Sequence, residues 1–160
     1  MKKNKSENIP VDFSILNDMP TDFKIDRITR EAGFQMKTSH VHPFYDITYL
    51  INGECTCFVN HSIYKLSKGD LIIIPPGDIH RSTFHGKIPV ERYVLSFREE
   101  ELNWIRSLIG DEIVSKSLKT GVISIPSKRR DYIEALLKVK DRIFYRLHLS
   151  RRDCLNFCCL

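Results

Sequence analysis

The chain has 160 residues, 42% of them hydrophobic and 28% charged, with a formal net charge of +5. That length suits one domain around a single core, and the composition is that of a globular protein rather than a disordered or fibrous one. No apolar run reaches the length of a membrane span, and the basic start MKKNKSENIPVDFS lacks the apolar stretch of a signal peptide, so a cytoplasmic protein without membrane contact is expected.

Residues 1–22 are polar, carry two prolines and show little periodicity; they read as a flexible N-terminal arm. From Phe23 to Phe97 the chain reads as short strands between turn signals. FKIDRIT is a strand closed by Gly33. YDITYLI is rich in β-branched and aromatic residues, and Asn52-Gly53 after it is a two-residue hairpin signal, with ECTCFV as the returning strand. Asn60-His61 turns into IYKL, and Lys68-Gly69-Asp70 turns into LIIIP, a continuous apolar run that fits a strand buried on both faces. Pro75-Pro76-Gly77-Asp78 breaks that run, and IHRSTF and VERYVLSF are the last two strands of the series. Strands this short and this regularly interrupted predict a sandwich or barrel.

After Phe97 the period changes. REEELNWIRSLI places Leu102, Ile105 and Ile109 on one helical face, with acids in the first turn that suit the helix dipole, and Gly110 ends it. DEIVSKSL reads as a further short helix and GVISIP as a brief extended piece. Ser127 is the N-cap candidate of a long amphipathic helix, on which Tyr132, Leu136, Val139, Ile143 and Leu147 recur every three or four residues. Ile133, Leu137 and Phe144 widen that stripe enough for a domain contact and a partner helix together, so a homodimer seam is expected there. The basic clusters Lys2-Lys3, Lys128-Arg129-Arg130 and Arg151-Arg152 are not interleaved with aromatics and read as solvated surface. Of the five cysteines, Cys55 and Cys57 share a strand face and Cys154, Cys158 and Cys159 crowd the C-terminus; none has the spacing of a zinc knuckle or redox pair.

The chemistry concentrates in two stretches. In HVHPFYD, His40 and His42 are two apart and point to the same face of an extended chain, and Asp46 lies an even number of residues from both. His80 follows PPGD. Three imidazoles and a carboxylate suit zinc, iron, manganese or nickel if closure of the fold brings His80 across. Tyr49 and Phe84 are candidate aromatics for the same pocket. Arg81 and Arg92 are the candidate partners of an anion, with surface placement the more ordinary reading for each.

Gly33-x6-His40-x-His42-x3-Asp46-x6-Gly53 resembles the first cupin motif, and Gly69-x5-Pro75-x-Gly77-x2-His80 resembles the second. The resemblance implies a cupin double-stranded β-helix, or jelly-roll barrel, with His40, His42, Asp46 and His80 as metal-ligand candidates. The chain departs from the pattern where a glutamate is usual, at Asp46, and where an asparagine often closes the second motif, at Phe84. Over a longer stretch, from HVHPFYDITYLINGE to YVLSFREEELNWI, the chain looks like the N-terminal sensory domain of AraC-type transcription regulators. That resemblance divides the chain into an arm (1–22), a cupin barrel (23–98) and a helical dimerisation segment (99–160). It implies a small-molecule effector in the barrel, such as a sugar or other metabolite, with no required cofactor and no catalysis, and a signal passed to helix-turn-helix units. After the long helix only SRRDCLNFCCL follows, too short for such a unit, so direct DNA binding by this chain is not expected. Two alternatives stay open: a small metal-dependent cupin enzyme, such as an isomerase or dioxygenase, and a dimerising module that interferes with a full-length regulator.

Overall fold

The computed structural model describes residues 11–12 and 23–139. The rest of the arm, Ile143 and Leu147 of the helical stripe, and Cys154, Cys158 and Cys159 lie outside the described residues. Ten strands are present among the described residues: β1 (Val11–Asp12), β2 (Lys24–Arg30), β3 (Ser39–His40), β4 (Tyr45–Asn52), β5 (Glu54–Val59), β6 (Ser62–Leu66), β7 (Asp70–Ile74), β8 (His80–His85), β9 (Val90–Phe97) and β10 (Gly121–Ser124). A 3-10 turn at Glu99–Leu102 leads into α1 (Asn103–Ile109) and α2 (Asp111–Ser117), and residues 127–139 form a further helix, α3. No described helix is long and apolar enough to cross a membrane.

The strands form two five-stranded sheets, ordered β1-β3-β8-β5-β6 and β10-β7-β4-β9-β2. Neighbours are antiparallel except β1, which runs parallel to β3. Between Asn52 and Val90 the chain changes sheet at each turn except the Asn60-His61 hairpin, where Val59 stands opposite Ser62. Asn52-Gly53 is therefore not the hairpin that its turn chemistry predicts. β4 pairs with β7 and β9, β5 pairs with β6 and β8, and Gly53 turns the corner from one sheet to the other. The left-handed conformation that the dipeptide favours is used there, with φ at +86°. The corner is also tight, since a Cβ on Gly53 would lie 2.7 Å from Cγ2 of Val90.

Alternation along the strands divides the molecule. Leu50, Ile72, Ile74 and Val90 from one sheet meet Cys55, Cys57, Val59, Leu66 and Phe84 from the other, and these make the barrel core. Each fully buried aliphatic side chain in that core contributes about 1.5–3 kcal/mol. The opposite face of the β4 sheet carries two further clusters. Tyr45 and Phe97 pack under Leu102 and Val114, which brings down the 3-10 turn and α2. Ile25, Tyr49 and Tyr93 pack with Leu95, Ile125 and Leu137, which brings down α3.

Two boundaries differ from the sequence reading. β10, within the GVISIP piece read as extended, returns to the sheet beside β7, so the barrel takes up a strand from beyond Phe97, inside the segment assigned as a whole to helices. Ser127 is already helical, and the first turn of α3 is instead closed by the Arg129 N–H on the Pro126 carbonyl at 2.8 Å. α3 is fixed from its start, because the Arg130 guanidinium fills the space over Gly69 while its Nε donates to the Ile125 carbonyl at 2.9 Å.

Replacing Gly53 with alanine forces an L side chain into a left-handed backbone and into Val90. Urea unfolding is expected to show a loss of about 1–3 kcal/mol. An unchanged midpoint would mean that the corner is not constrained as described.

Candidate functional site

The three histidines meet inside the barrel. His40 closes β3 and stands directly opposite His80, the first residue of β8. His42 lies in the extended segment just before β4, and its ring also turns inward. The His40 and His80 rings are 4.0 Å apart, and those of His42 and His80 4.8 Å, both edge to face. Each ring offers one nitrogen to a set whose members lie within 4.8 Å of one another, and all three side chains are buried.

Two of these rings are held by backbone carbonyls. His42 Nδ1 lies 2.8 Å from the Phe44 oxygen, and His80 Nδ1 lies 2.9 Å from the Asp78 oxygen. A carbonyl only accepts, so each Nδ1 carries a proton, and in the neutral ring this leaves the lone pair on Nε2. This is the outer support that metal-binding histidines ordinarily have. The Gly77 N–H donates to the His42 carbonyl at 3.0 Å and so ties the PPGD turn of the second motif to the first. Asn60 holds the same turn from β5: its side chain donates to Asp78 at 2.8 Å and accepts from the Ile79 N–H at 3.0 Å. The Asp78 carboxylate also takes the Thr120 hydroxyl, just before β10.

Burial pushes His80 down to about 4, so its ring is neutral at neutral pH, as a metal ligand must be. His42 Nε2 is buried without a hydrogen-bond partner, and the nearest acid, Asp46, stops 3.8 Å short of it. The Asp46 carboxyl is itself raised by burial, against the pull of His42, Arg92 and the Thr48 hydroxyl. The donor set fits a divalent transition metal in chemistry and orientation. Tetrahedral coordination with bonds of about 2.1 Å spaces nitrogens about 3.4 Å apart, so the three would draw together from their widest separation. Asp46 lies beside the set without joining it.

The remaining predicted residues separate by face. Asp46, opposite Ser96 and Ile74, shares the inner face with Thr48 and Leu50. Tyr49 does not join them. It is three residues from Asp46, faces outward, and donates its hydroxyl to Glu134 of α3 at 3.2 Å. Phe84 is inside the barrel and fully buried, but it stands four residues along β8 from His80, a strand length of about 13 Å. Arg81 stacks on Phe58, 4.6 Å from the ring centroid. Arg92, whose ordinary reading was surface, turns inward, opposite Leu50 and 4.9 Å over the Phe84 ring. Its even spacing from Val90 and Val94 is the signal that places it there. Ser82 was not singled out; its hydroxyl lies 3.0 Å from the Cys57 sulfur on the inner face. On α3, Leu137 packs toward the sheet, while Tyr132, Leu136 and Val139 are 66%, 47% and 55% exposed.

Two sheets enclosing inward histidines at these motif positions define a cupin-type, mainly β fold with helices beyond the barrel. The AraC-like ligand binding domain model matches residues 24–137, more than half of the chain, and the chain belongs to that family. No curated protein matches it in sequence. Among solved structures, ToxT from Vibrio cholerae is similar in fold, with 8% identity and a TM-score of 0.56 over 73% of this chain and 48% of that one. The chain thus spans about half the length of ToxT. An uncharacterized protein with a double-stranded β-helix domain from Klebsiella pneumoniae is 25% identical, with a TM-score of 0.44 over 49% of this chain and 70% of that one. A cupin family protein from Methanocaldococcus jannaschii is 20% identical, with a TM-score of 0.46 over 53% and 79% of the two chains.

In metal-free protein His80 makes stability depend on pH. Its folded value is about 4 against an unfolded value of 6.5, so between these only the unfolded chain takes up the proton. Stability is therefore complete above the unfolded value and is lost as pH falls toward the folded one. Urea unfolding of chelator-treated protein should show this slope, and His80→Gln should flatten it. Parallel slopes for wild type and variant would refute a neutral, buried His80.

Proposed function

We propose that the chain is the effector-sensing and dimerisation domain of an AraC-type transcription regulator, acting in the cytoplasm. A small metabolite occupies the barrel, and two copies associate through the Tyr132, Leu136 and Val139 face of α3. The signal passes to helix-turn-helix units of the kind that follow such domains. The observation that carries this reading is that β4 is buried on both sides. Asp46 and Thr48 line the interior, while Tyr45 and Tyr49 hold the helices. An effector inside therefore acts on the inner face of the strand whose outer face positions the helical segment. Its effect is a shift between packing arrangements, which requires a difference in affinity for them and no catalysis.

The test is a fusion of this chain to a monomeric helix-turn-helix unit. Reporter repression at a two-half-site operator is expected to exceed that of the unfused unit by at least about tenfold, the worth of roughly 1.4 kcal/mol of added association. Leu136→Arg should abolish the gain and sediment as a monomer with an unchanged far-UV spectrum. A fusion no better than the isolated unit would remove the dimerisation role.

One observation favours a second reading, a metal-dependent cupin enzyme: the orphaned His42 Nε2 beside two further imidazole nitrogens. A metal held by His40, His42 and His80 would supply Lewis acidity or oxygen activation. Elemental analysis of untagged protein dialysed against zinc, manganese, iron and nickel decides whether the triad binds metal. Stoichiometric metal in wild type and its loss in His40→Ala are expected for a metal centre, and equal trace metal in both rejects one.

A further inference from the structure

We propose that the effector of this barrel is a small carboxylic acid and that Arg92 binds its carboxylate. The proposal rests on the effector-sensing reading and deepens it by naming the ligand's chemical class.

Arg92 leaves β9 between the buried residues Val90 and Tyr93 and crosses to the facing sheet, where its guanidinium lies 4.9 Å from the Phe84 ring centroid. Among the described residues no carboxylate oxygen comes within 4.0 Å of it, and its Nε is buried with no hydrogen-bond partner. Asp46 is the acid that acts on it most strongly, without a carboxylate oxygen inside ion-pair distance. That carboxylate is engaged elsewhere, accepting from the Thr48 hydroxyl at 3.2 Å and lying 3.8 Å from His42 Nε2. Burial accordingly lowers the Arg92 pKa from its ordinary value, the mark of a cation incompletely compensated.

Arg92 is half-buried, with its Nε fully so, and a guanidinium that is only stacked has its fork of donors unused. A second cation stands nearby. Arg30, exposed at the end of β2, stacks 5.4 Å over Phe34, and Phe34 packs on Phe84 with centroids 6.0 Å apart. The order Arg30, Phe34, Phe84, Arg92 thus sets two positive charges around an aromatic pair, and Arg30 disfavours the charge on Arg92. An anion between barrel wall and guanidinium offsets the repulsion that Arg92 feels. A carboxylate is preferred over a phosphate because it matches one planar fork with a single charge, while the negative charge of Asp46, the acid that acts most strongly on Arg92, disfavours a dianion.

Acetate is the probe, since any pocket that takes a larger acid admits it. Thermal unfolding is compared in sodium acetate and in sodium chloride of equal ionic strength, with acetamide as the neutral isostere and phosphate as the competing anion. Acetate should raise the wild-type Tm over chloride by about 2–4 °C, the shift for roughly fivefold excess over Kd, and acetamide should not. The gain should vanish in Arg92→Gln and Arg92→Met, a difference that cancels the general salt effect. Ligand-free Arg92→Met should be at least as stable as wild type, because it removes the unpaired charge, and Arg92→Lys, with charge but no fork, should keep only part of the gain. An acetate gain absent from wild type or equal in Arg92→Gln overturns the proposal, as does stabilisation by phosphate alone. A neutral sugar that stabilises wild type and Arg92→Gln alike overturns the carboxylate assignment but leaves effector sensing standing, whereas a failed fusion experiment removes sensing and leaves anion binding intact.

Discussion

The rest of the structure depends on the burial of β4 from both sides. A strand in a two-layer protein usually has one wet face. Here Asp46, Thr48 and Leu50 look into the barrel, and Tyr45 and Tyr49 look out into clusters that hold the helices. The strict alternation of side chains makes this an exact partition, because no residue of the strand can serve both sides. The interior and the helical layer are consequently separated by one strand thickness. A change of packing on one side is felt on the other through the same backbone.

Much of this was legible in the sequence. The eight-residue strands Tyr45–Asn52 and Val90–Phe97 fall where their alternation and β-branched content place them. The histidines converge because His40 and His42 are two apart and because PPGD returns the chain to His80. What was misread followed from pairing and parity. Asn52-Gly53 carries the right chemistry for a left-handed turn, but chemistry at a turn does not say which strand the chain will join next. The same conformation serves a hairpin and a corner between sheets, and barrel closure chose the corner. Tyr49 was grouped with the pocket by its aromatic character, although an odd spacing from Asp46 puts it on the other face. Arg92 was left at the surface by its charge, although an even spacing from Val90 puts it inside. In both cases side-chain type was allowed to outweigh period, and the pleat prevailed. GVISIP was read as a brief extended piece, and Gly121–Ser124 is a strand, but so short a segment does not say that β7 is the edge it pairs with.

The barrel interior is not optimised for stability. Three imidazoles, Asp46, Thr48, Ser82 and Arg92 occupy volume that aliphatic side chains would fill at lower desolvation cost. Cys55 and Cys57 soften the boundary between this polar lane and the apolar core, since thiols pack as small hydrophobes. Buried polar atoms without a hydrogen-bond partner, here His42 Nε2 and Arg92 Nε, are the pattern of sites that store instability for use with a ligand. The apolar half of the same barrel, from Leu50 through Ile72 to Val90, supplies the burial that tolerates them.

The turn before His80 has a consequence for the thermodynamics of binding. Pro75 and Pro76 restrict that segment before folding, and Asn60, the Gly77 amide and Thr120 fix it afterwards. The ring that follows is therefore already in place when a ligand arrives. Little conformational entropy remains to be lost at this end of the barrel, so the free energy of contact there goes into affinity rather than into ordering the receptor.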